Sequence, residues 1–137
     1  MNDITKQTFK KKERLCGKKR INNLFTYGNS FYIRPFKIVW LNTKINSNTP
    51  AQVLISIPKH NIHKSVQRNL LKRRIKEAYR KNKKLFYEFL INNNNQCIFT
   101  IIFESKDVIL YKEIESKIIL ILKRLQKEYE TSKNYEL

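Results

Sequence analysis

Residues that break regular structure are scarce in this 137-residue chain, which contains two glycines and three prolines. Such a composition predicts few, well-defined connections between helices and strands. The hydrophobic content of 41% is sufficient to build a core, which excludes a wholly disordered chain. The length is typical of a single domain.

Long apolar runs are missing as well. No segment approaches the ~18 consecutive apolar residues of a transmembrane helix. The N-terminal stretch MNDITKQTFKKKERL has no apolar run of the kind found in secretory signals. The sequence therefore predicts a cytoplasmic protein without a membrane segment. In a reducing compartment we expect free thiols at Cys16, near the surface, and at Cys97, inside a strand.

Acidic residues are the third scarcity, because 29 Lys and Arg face only 11 Asp and Glu, for a net charge of +18. The charge is uneven. Residues 59–84 hold eleven basic residues and one acid, Glu77, whereas residues 104–137 hold seven of each sign. Biased codon usage alone would raise the basic content throughout the chain, so it does not explain why residues 104–137 are balanced in charge. The distribution predicts a surface that binds a polyanion.

The hydrophobic pattern predicts an α/β (α+β) sandwich in the order α-β-β-α-β-α, with a small, mostly antiparallel or mixed sheet and a long basic central helix. The predicted elements are a helix over 18–27 closed by a left-handed cap at Gly28, a hairpin of strands 31–41 and 51–58, a helix over 62–90, a strand over 96–104 and a helix over 111–129. Asn61 is the expected N-cap of the long helix, and a bend is expected near 82–84.

Three regions follow from this pattern. Residues 1–13 are predicted to be a flexible basic N-terminal arm, residues 14–130 a single domain that binds the polyanion, and residues 131–137 a C-terminal tail. The nearly continuous apolar character of the strand over 96–104 predicts that it is buried on both faces.

The long helix is predicted to have two adjacent faces. Its apolar face consists of Leu71, Ile75, Ala78, Leu85 and Phe89, and its basic face of Arg68, Asn69, Lys72, Arg73, Lys76 and Arg80. Like charges at i, i+4 positions repel, so a helix selected only for stability would interleave acids. Binding of an anionic partner is the simplest reason to keep this repulsion.

The basic helix could also be a merely solvated face, or it could lie on a membrane surface. The apolar side is needed to cover the sheet, which argues against a membrane. Arg side chains suit phosphates, and no heptad repeat or helix-turn-helix pattern accompanies the helix. Seven Tyr and eight Phe offer stacking platforms for unpaired bases, which favours RNA.

The stretch RNLLKRRIKEAYR (68–80) resembles the signature of the bacterial ribonuclease P protein subunit. In that family an Arg-Asn pair is followed after two residues by Lys-Arg, and another basic residue comes three further on. The segments Arg14-Leu15, FTYGNS (25–30) and LISIPKH (54–60) resemble other parts of the family, so the resemblance covers about residues 9–127. Leu70 departs from it, because the family has a basic residue there.

The resemblance implies the small subunit of a ribonucleoprotein endonuclease that removes the 5′ leader of precursor tRNA. The ribonuclease P RNA, with Mg²⁺, would perform the hydrolysis. This chain would provide no catalytic residue, hold no metal tightly and join the RNA as a monomer in a 1:1 complex.

The same resemblance assigns residues to two surfaces. The catalytic RNA would be contacted by Arg68, Asn69, Lys72, Arg73 and Lys76, together with the flanking Lys64 and Arg80. The leader would lie in a cleft beside Ile21, Phe25 and Val39. Phe25 matches an aromatic of that cleft, whereas the family often has aromatics at the other two positions. Pure core packing is the alternative role for Phe25.

Two other functions stay open. One is a structural, non-enzymatic RNA-binding protein such as a ribosome-associated component. The other is a protein-only nuclease that uses His60 and His63, although no third metal ligand or partner for acid-base work is evident near them.

Overall fold

A computed structural model describes residues 8–135, with side chains as far as Ser132. A short 3-10 turn at Lys11–Glu13 precedes the first helix. The regular elements are α1 (Lys18–Tyr27), β1 (Asn29–Ile33), β2 (Phe36–Asn42), β3 (Ala51–Ser56), α2 (Ser65–Asn82), α3 (Lys84–Asn92), β4 (Cys97–Phe103) and α4 (Tyr111–Tyr135).

The strands form one mixed sheet in the order β1-β2-β4-β3. The β1/β2 and β2/β4 pairs are antiparallel, and the β3/β4 pair is parallel. The predicted fold class is therefore confirmed. As predicted, β4 is buried on both faces, since six of its seven residues are buried and neighbouring strands pair with it on either side.

The predicted hairpin was assigned to the wrong strands. Residues 31–41 form two strands, because the chain turns at Arg34-Pro35, where the peptide bond is cis. The hairpin is therefore β1/β2, with Phe31 opposite Ile38. β4 lies between β2 and β3, since the most continuously apolar strand gains most from the central position.

The predicted long helix is divided at Lys83 into α2 and α3, at the expected bend. The division changes which side chains face the core. Leu71, Ile75 and Ala78 are fully buried as predicted. Leu85, however, is 71% exposed, because the helical phase does not continue through the break.

Two cap predictions were wrong. The N-cap position of α2 is Lys64, not Asn61, whose Nδ2 donates to the Phe103 carbonyl at 3.1 Å. Gly28 has φ −74° and so is not left-handed. The position requires glycine for another reason: a Cβ there would lie 2.3 Å from the Leu24 carbonyl oxygen and 2.9 Å from that of Trp40.

The two faces of the sheet are covered differently. On one, which we call the three-helix face, α2, α3 and α4 enclose a large core that includes Trp40, Phe99 and Ile101. The other, which we call the α1 face, carries a small cluster formed by Leu15, Leu24, Val39, Ile45 and Ile98. All five predicted core positions of α4 are buried: Ile114, Ile118, Ile121, Leu122 and Leu125.

The region boundaries stay a prediction. Residues 1–7 of the predicted arm and residues 136–137 of the predicted tail lie outside the described residues. Phe9 packs against the large core, and Leu15 donates a backbone hydrogen bond to the Val53 carbonyl at 2.9 Å. Cys16 is exposed and Cys97 is buried, and both are free thiols as predicted.

Candidate nucleic-acid interface

Helix α2 docks on the sheet through Leu71, Ile75, Ala78 and Tyr79. Docking of this face turns the predicted basic face away from the core. None of the seven predicted RNA contacts is buried: Lys64, Asn69 and Arg73 are exposed, and Arg68, Lys72, Lys76 and Arg80 are half-buried. The structure therefore brings all seven together along one helix and its N-cap.

Arg68 has a structural contact in addition to its place on this face. Its guanidinium donates to the carbonyls of Ile62, at 3.0 Å, and His63, at 2.7 Å. Both bonds close the loop that leads into α2. Both bonds use Nη1, so they engage two of the five N–H donors of the guanidinium.

Arg14, from the N-terminal segment, extends the basic face of α2. The pKa of Lys76 is lowered first by partial burial, and then by the positive charges of Arg14 and Lys72. The Arg14 guanidinium carbon lies 5.6 Å from the centre of the Phe9 ring, and its backbone forms a bridge with Val53. Arg14, Arg68, Asn69, Lys72, Arg73 and Lys76 together form what we call the basic surface. The sequence predicted a basic N-terminal arm over residues 1–13 but gave no sign that Arg14 lies beside α2.

Glu77 is the only acidic residue between positions 14 and 87. It forms a bidentate pair with Arg80, at 2.6 and 3.0 Å, and lies 3.8 Å from the Lys81 ammonium. The hydrogen bond from Arg80 lowers the pKa of the Glu77 carboxyl. Negative charge is thus placed at the last turns of α2, and Arg80 differs from the other predicted contacts by having a carboxylate partner.

Arg74 is a basic residue of the signature that does not point with the others. Its Nη1 donates to the Ile109 carbonyl at 2.6 Å, which ties α2 to the segment before α4. The basic residues of α2 are therefore of two kinds: most lie on its outer surface, and Arg74 holds the helix against a neighbouring segment.

A buried ionic network fixes the N-terminal segment at the junction of α2 and α3. Lys83 donates to the Glu13 carboxylate and to the Thr8 carbonyl. The Tyr87 hydroxyl donates to the same carboxylate at 2.7 Å and lies 2.8 Å from that of Tyr79. Because Glu13 precedes Arg14, this network also fixes Arg14 beside α2.

Burial is the largest influence on the pKa values of Lys83, Tyr79 and Tyr87 in this network. Desolvation lowers the pKa of Lys83, and the hydrogen bond and charge of Glu13 oppose that effect. Desolvation raises the pKa of both Tyr79 and Tyr87 well above their ordinary value. The sequence did not reveal this site, because lysine and glutamate are rarely buried unless they pair, and these two are 70 positions apart.

The predicted cleft residues lie on the α1 face. Val39 is only 5% exposed, and Ile21 packs against the same small cluster. Phe25 is 52% exposed. The structure therefore brings Ile21 and Val39 together as cluster residues and leaves Phe25 as the one predicted position with an accessible ring.

Tyr32 is a second accessible ring on this face that the sequence did not single out. Strand alternation and the pairings Ser30–Val39 and Tyr32–Lys37 place Tyr32 on the same side of the sheet as Val39. Its ring is 56% exposed, and the Lys37 ammonium lies 5.6 Å from its centre. An exposed aromatic next to a cation suits an unpaired base and its phosphate.

His60 and His63 are both exposed in the connection between β3 and α2. Among residues 8–132, no three His, Cys, Asp or Glu side chains are grouped in a way that could hold a metal ion. In the described part of the chain, no helix combines the length and apolarity needed to cross a membrane.

Comparison with known proteins gives consistent matches. A family model for ribonuclease P matches residues 9–126. The ribonuclease P protein component of Petrotoga mobilis is 31% identical over 123 residues, which cover 88% of this chain and 97% of that protein. That of Porphyromonas gingivalis is 34% identical over 80 residues, which cover 58% of each chain, less than two thirds of the relative's length.

The fold has solved counterparts. The RNase P protein from Thermotoga maritima superposes with a TM-score of 0.65 at 20% identity, covering 82% of this chain and 96% of that one. At this identity the likeness concerns the fold.

Proposed function

Since this chain belongs to the ribonuclease P protein family, we propose that it is the protein subunit of the ribonucleoprotein that removes the 5′ leader from precursor tRNA. In this role it binds the ribonuclease P RNA in the cytoplasm, as one protein per RNA. The observation that carries the proposal is the basic surface, where two separate segments place Arg and Lys side chains together with no acid among them.

The RNA subunit is the proposed ligand of the basic surface. Arg73 and Asn69 are exposed, so they can reach phosphate and sugar oxygens without rearrangement of the helix. In the free protein the positive charges of Arg14 and Lys72 repel that of Lys76, and a bound phosphate relieves that repulsion. Release of the RNA's counterions adds to the affinity.

The leader of precursor tRNA is the proposed ligand of the α1 face. Phe25 is the residue we expect to stack on an unpaired base, because its ring is half exposed while Ile21 and Val39 are packed in the cluster below. A sheet face covered by one helix leaves an edge along which single-stranded RNA can lie.

The hydrolysis is proposed to take place on the RNA subunit. Mg²⁺ held there would activate the attacking water and stabilise the leaving oxygen. This chain's contribution is to hold the RNA and to position the leader. The scarcity of acids on its basic side is consistent with that division, because Glu77, the only acid between residues 14 and 87, is paired with Arg80 and Lys81.

A reconstitution assay tests the proposal. The full chain is mixed with bacterial ribonuclease P RNA and precursor tRNA at low Mg²⁺ concentration, where we expect it to increase cleavage at the 5′ maturation site. RNA binding without any effect on cleavage would favour a structural RNA-binding protein. Cleavage by the protein alone that is lost in His60→Ala would favour the protein-only nuclease.

The salt dependence of binding tests the surface itself. Arg73→Ala should weaken binding of the RNA subunit and reduce the slope of log K against log salt by up to ~0.9 for each phosphate that is no longer neutralised. The matched control is Lys123→Gln on α4, which removes one exposed charge elsewhere. Equal slopes for the two variants would contradict the assignment.

A further inference from the structure

A second concave site lies on the side of α1 that does not carry Phe25. Lys19, Asn23 and Tyr27, at i, i+4 and i+8, line a pocket of about 430 Å³ between α1 and the loop after β2. Phe25 is two positions from both Asn23 and Tyr27, so it projects to another side of the helix. None of the predicted leader-contact residues lines this pocket, although Leu41 and Ile98 in its wall share the small cluster of Val39.

The lining of this pocket matches the parts of a nucleotide. The apolar part of its wall includes Leu41 and Ile98, and polar groups come from Asn23 and Asn46. Three cations line it, namely Lys19, Arg20 and Lys44. None of its lining residues, all within the described part of the chain, carries a carboxylate. Tyr27 adds a ring that is 72% exposed.

Arg20 is held in place by a buried glutamine. Its Nη1 donates to the Gln52 Oε1 at 2.9 Å, and the Gln52 Nε2 donates to the Lys12 carbonyl at 3.0 Å. Gln52 is only 7% exposed, so its own position is fixed. An arginine oriented in this way is pre-organised for bidentate contact with a phosphate.

The opposite wall is fixed by a second glutamine. Gln96 Oε1 accepts from the Ile45 backbone N–H at 2.9 Å, and Gln96 Nε2 donates to the Ser47 and Thr49 carbonyls, both at 3.0 Å. The Thr43 N–H donates to the Gln96 carbonyl at 3.3 Å. The backbone on both sides of Lys44 is thus anchored, which holds its exposed side chain at the pocket's rim.

We propose that this pocket binds one unpaired nucleotide of RNA, with the base stacked on Tyr27 and the phosphate held by Arg20 and Lys44. The inference rests on the proposed function for the identity of its ligand as RNA. An aromatic ring and an apolar wall accept any base, so the site selects single-stranded RNA with little preference for sequence.

Binding of a short fluorescein-labelled single-stranded RNA to the full chain provides the first test. Tyr27→Ala should weaken binding roughly tenfold, and Tyr27→Phe should retain it, because stacking requires the ring and not the hydroxyl. Lys44→Gln should reduce the salt slope by ~0.7, whereas the control Lys123→Gln should leave it unchanged. These side chains are exposed, so we expect equal melting temperatures.

The second test identifies which RNA supplies the nucleotide. The same variants are measured against the ribonuclease P RNA alone, and then as holoenzyme against precursor tRNA with and without its leader. A loss in the first arm places the nucleotide in the RNA subunit, and a loss only with leader-bearing substrate places it in the leader. If Tyr27→Ala behaves as wild type in both arms, the proposal is overturned, whatever the short RNA shows.

Failure of this proposal can be separated from failure of the proposed function. Arg73→Ala and Phe25→Ala are measured in the same series. If they weaken RNA binding while Tyr27→Ala does not, the pocket alone is refuted. If none of the three has any effect, the proposed function fails with it.

Discussion

The two faces of the sheet are built from the same strands but are covered to different extents. The three-helix face is sealed by α2, α3 and α4 around Phe99 and Ile101, both fully buried. The α1 face has one helix over a small cluster and keeps Phe25 and Tyr32 half exposed. The difference indicates that stability is concentrated on one face, which leaves the other free to bind a ligand.

We expect the largest effect when the buried ion pair beside the three-helix face is broken. Lys83→Met leaves the Glu13 carboxylate buried without its cation, and both side chains are at most 5% exposed. We expect a loss of about 3–5 kcal/mol in the free energy of unfolding, measured with urea. The double variant Glu13→Leu/Lys83→Met should recover much of it, and a single variant as stable as wild type would contradict the role of this pair.

A matched pair on β4 compares the faces directly. Ile101 lies in the large core and Ile98 in the small cluster, at 0% and 2% exposure. Both changes to alanine should destabilise within the usual range of about 2–5 kcal/mol. The loss of stability in Ile101→Ala should lie near the upper end of this range, because three packed helices cannot close the cavity. The loss in Ile98→Ala should lie near the lower end, because α1 can shift inward. Equal losses by urea unfolding would refute the contrast.

Function should be separable from stability on the α1 face. Phe25→Ala removes a half-exposed ring, so we expect an unchanged melting temperature. Affinity of the holoenzyme for leader-bearing precursor tRNA should fall by about 1–3 kcal/mol, the usual range for loss of one stacked base. Leu120→Ala on α4, which is 48% exposed, is the control. A large fall in melting temperature would instead assign Phe25 to the core.

The smallest effect is a pH dependence of the three-helix face. Burial raises the pKa of Tyr79 and Tyr87 in the folded protein, whereas in the unfolded chain both titrate near 10. Their contribution to stability is therefore complete below pH 10 and is lost as the pH rises above it, by up to ~1.4 kcal/mol per pH unit for each group. Unfolding measured from neutral to alkaline pH should show a shallower decline in Tyr79→Phe. An identical decline would contradict the assignment.

Much of the geometry of the candidate interface could be predicted from local pattern. The spacing of Leu71, Ile75 and Ala78 placed the docking face of α2 correctly, so Lys72, Arg73 and Lys76 lie outside the core. Arg74 is the exception, because it bonds to the Ile109 carbonyl. The same reasoning failed at Leu85, because periodicity assumes a continuous helix and this one breaks at Lys83.

Contacts between segments that are far apart in the sequence could not be predicted. Val39 has the pattern of a half-buried strand residue whether or not a helix covers it, and only the position of α1 makes it part of the small cluster. The two orienting glutamines, Gln52 and Gln96, are ordinary polar residues in the sequence. They become informative only when their partners Arg20 and Ile45 are brought to them.

Composition and periodicity are local properties of the chain, and they were sufficient to predict the fold class and the cationic character of α2. The signature over residues 68–80 is also local, and it carried the resemblance to the family. The strand order, the burial of the Glu13–Lys83 pair and the placement of Arg14 beside Lys76 emerged only from the folded chain. These features are contacts between residues that lie tens of positions apart in the sequence. Packing of the whole core determines which of these residues come together.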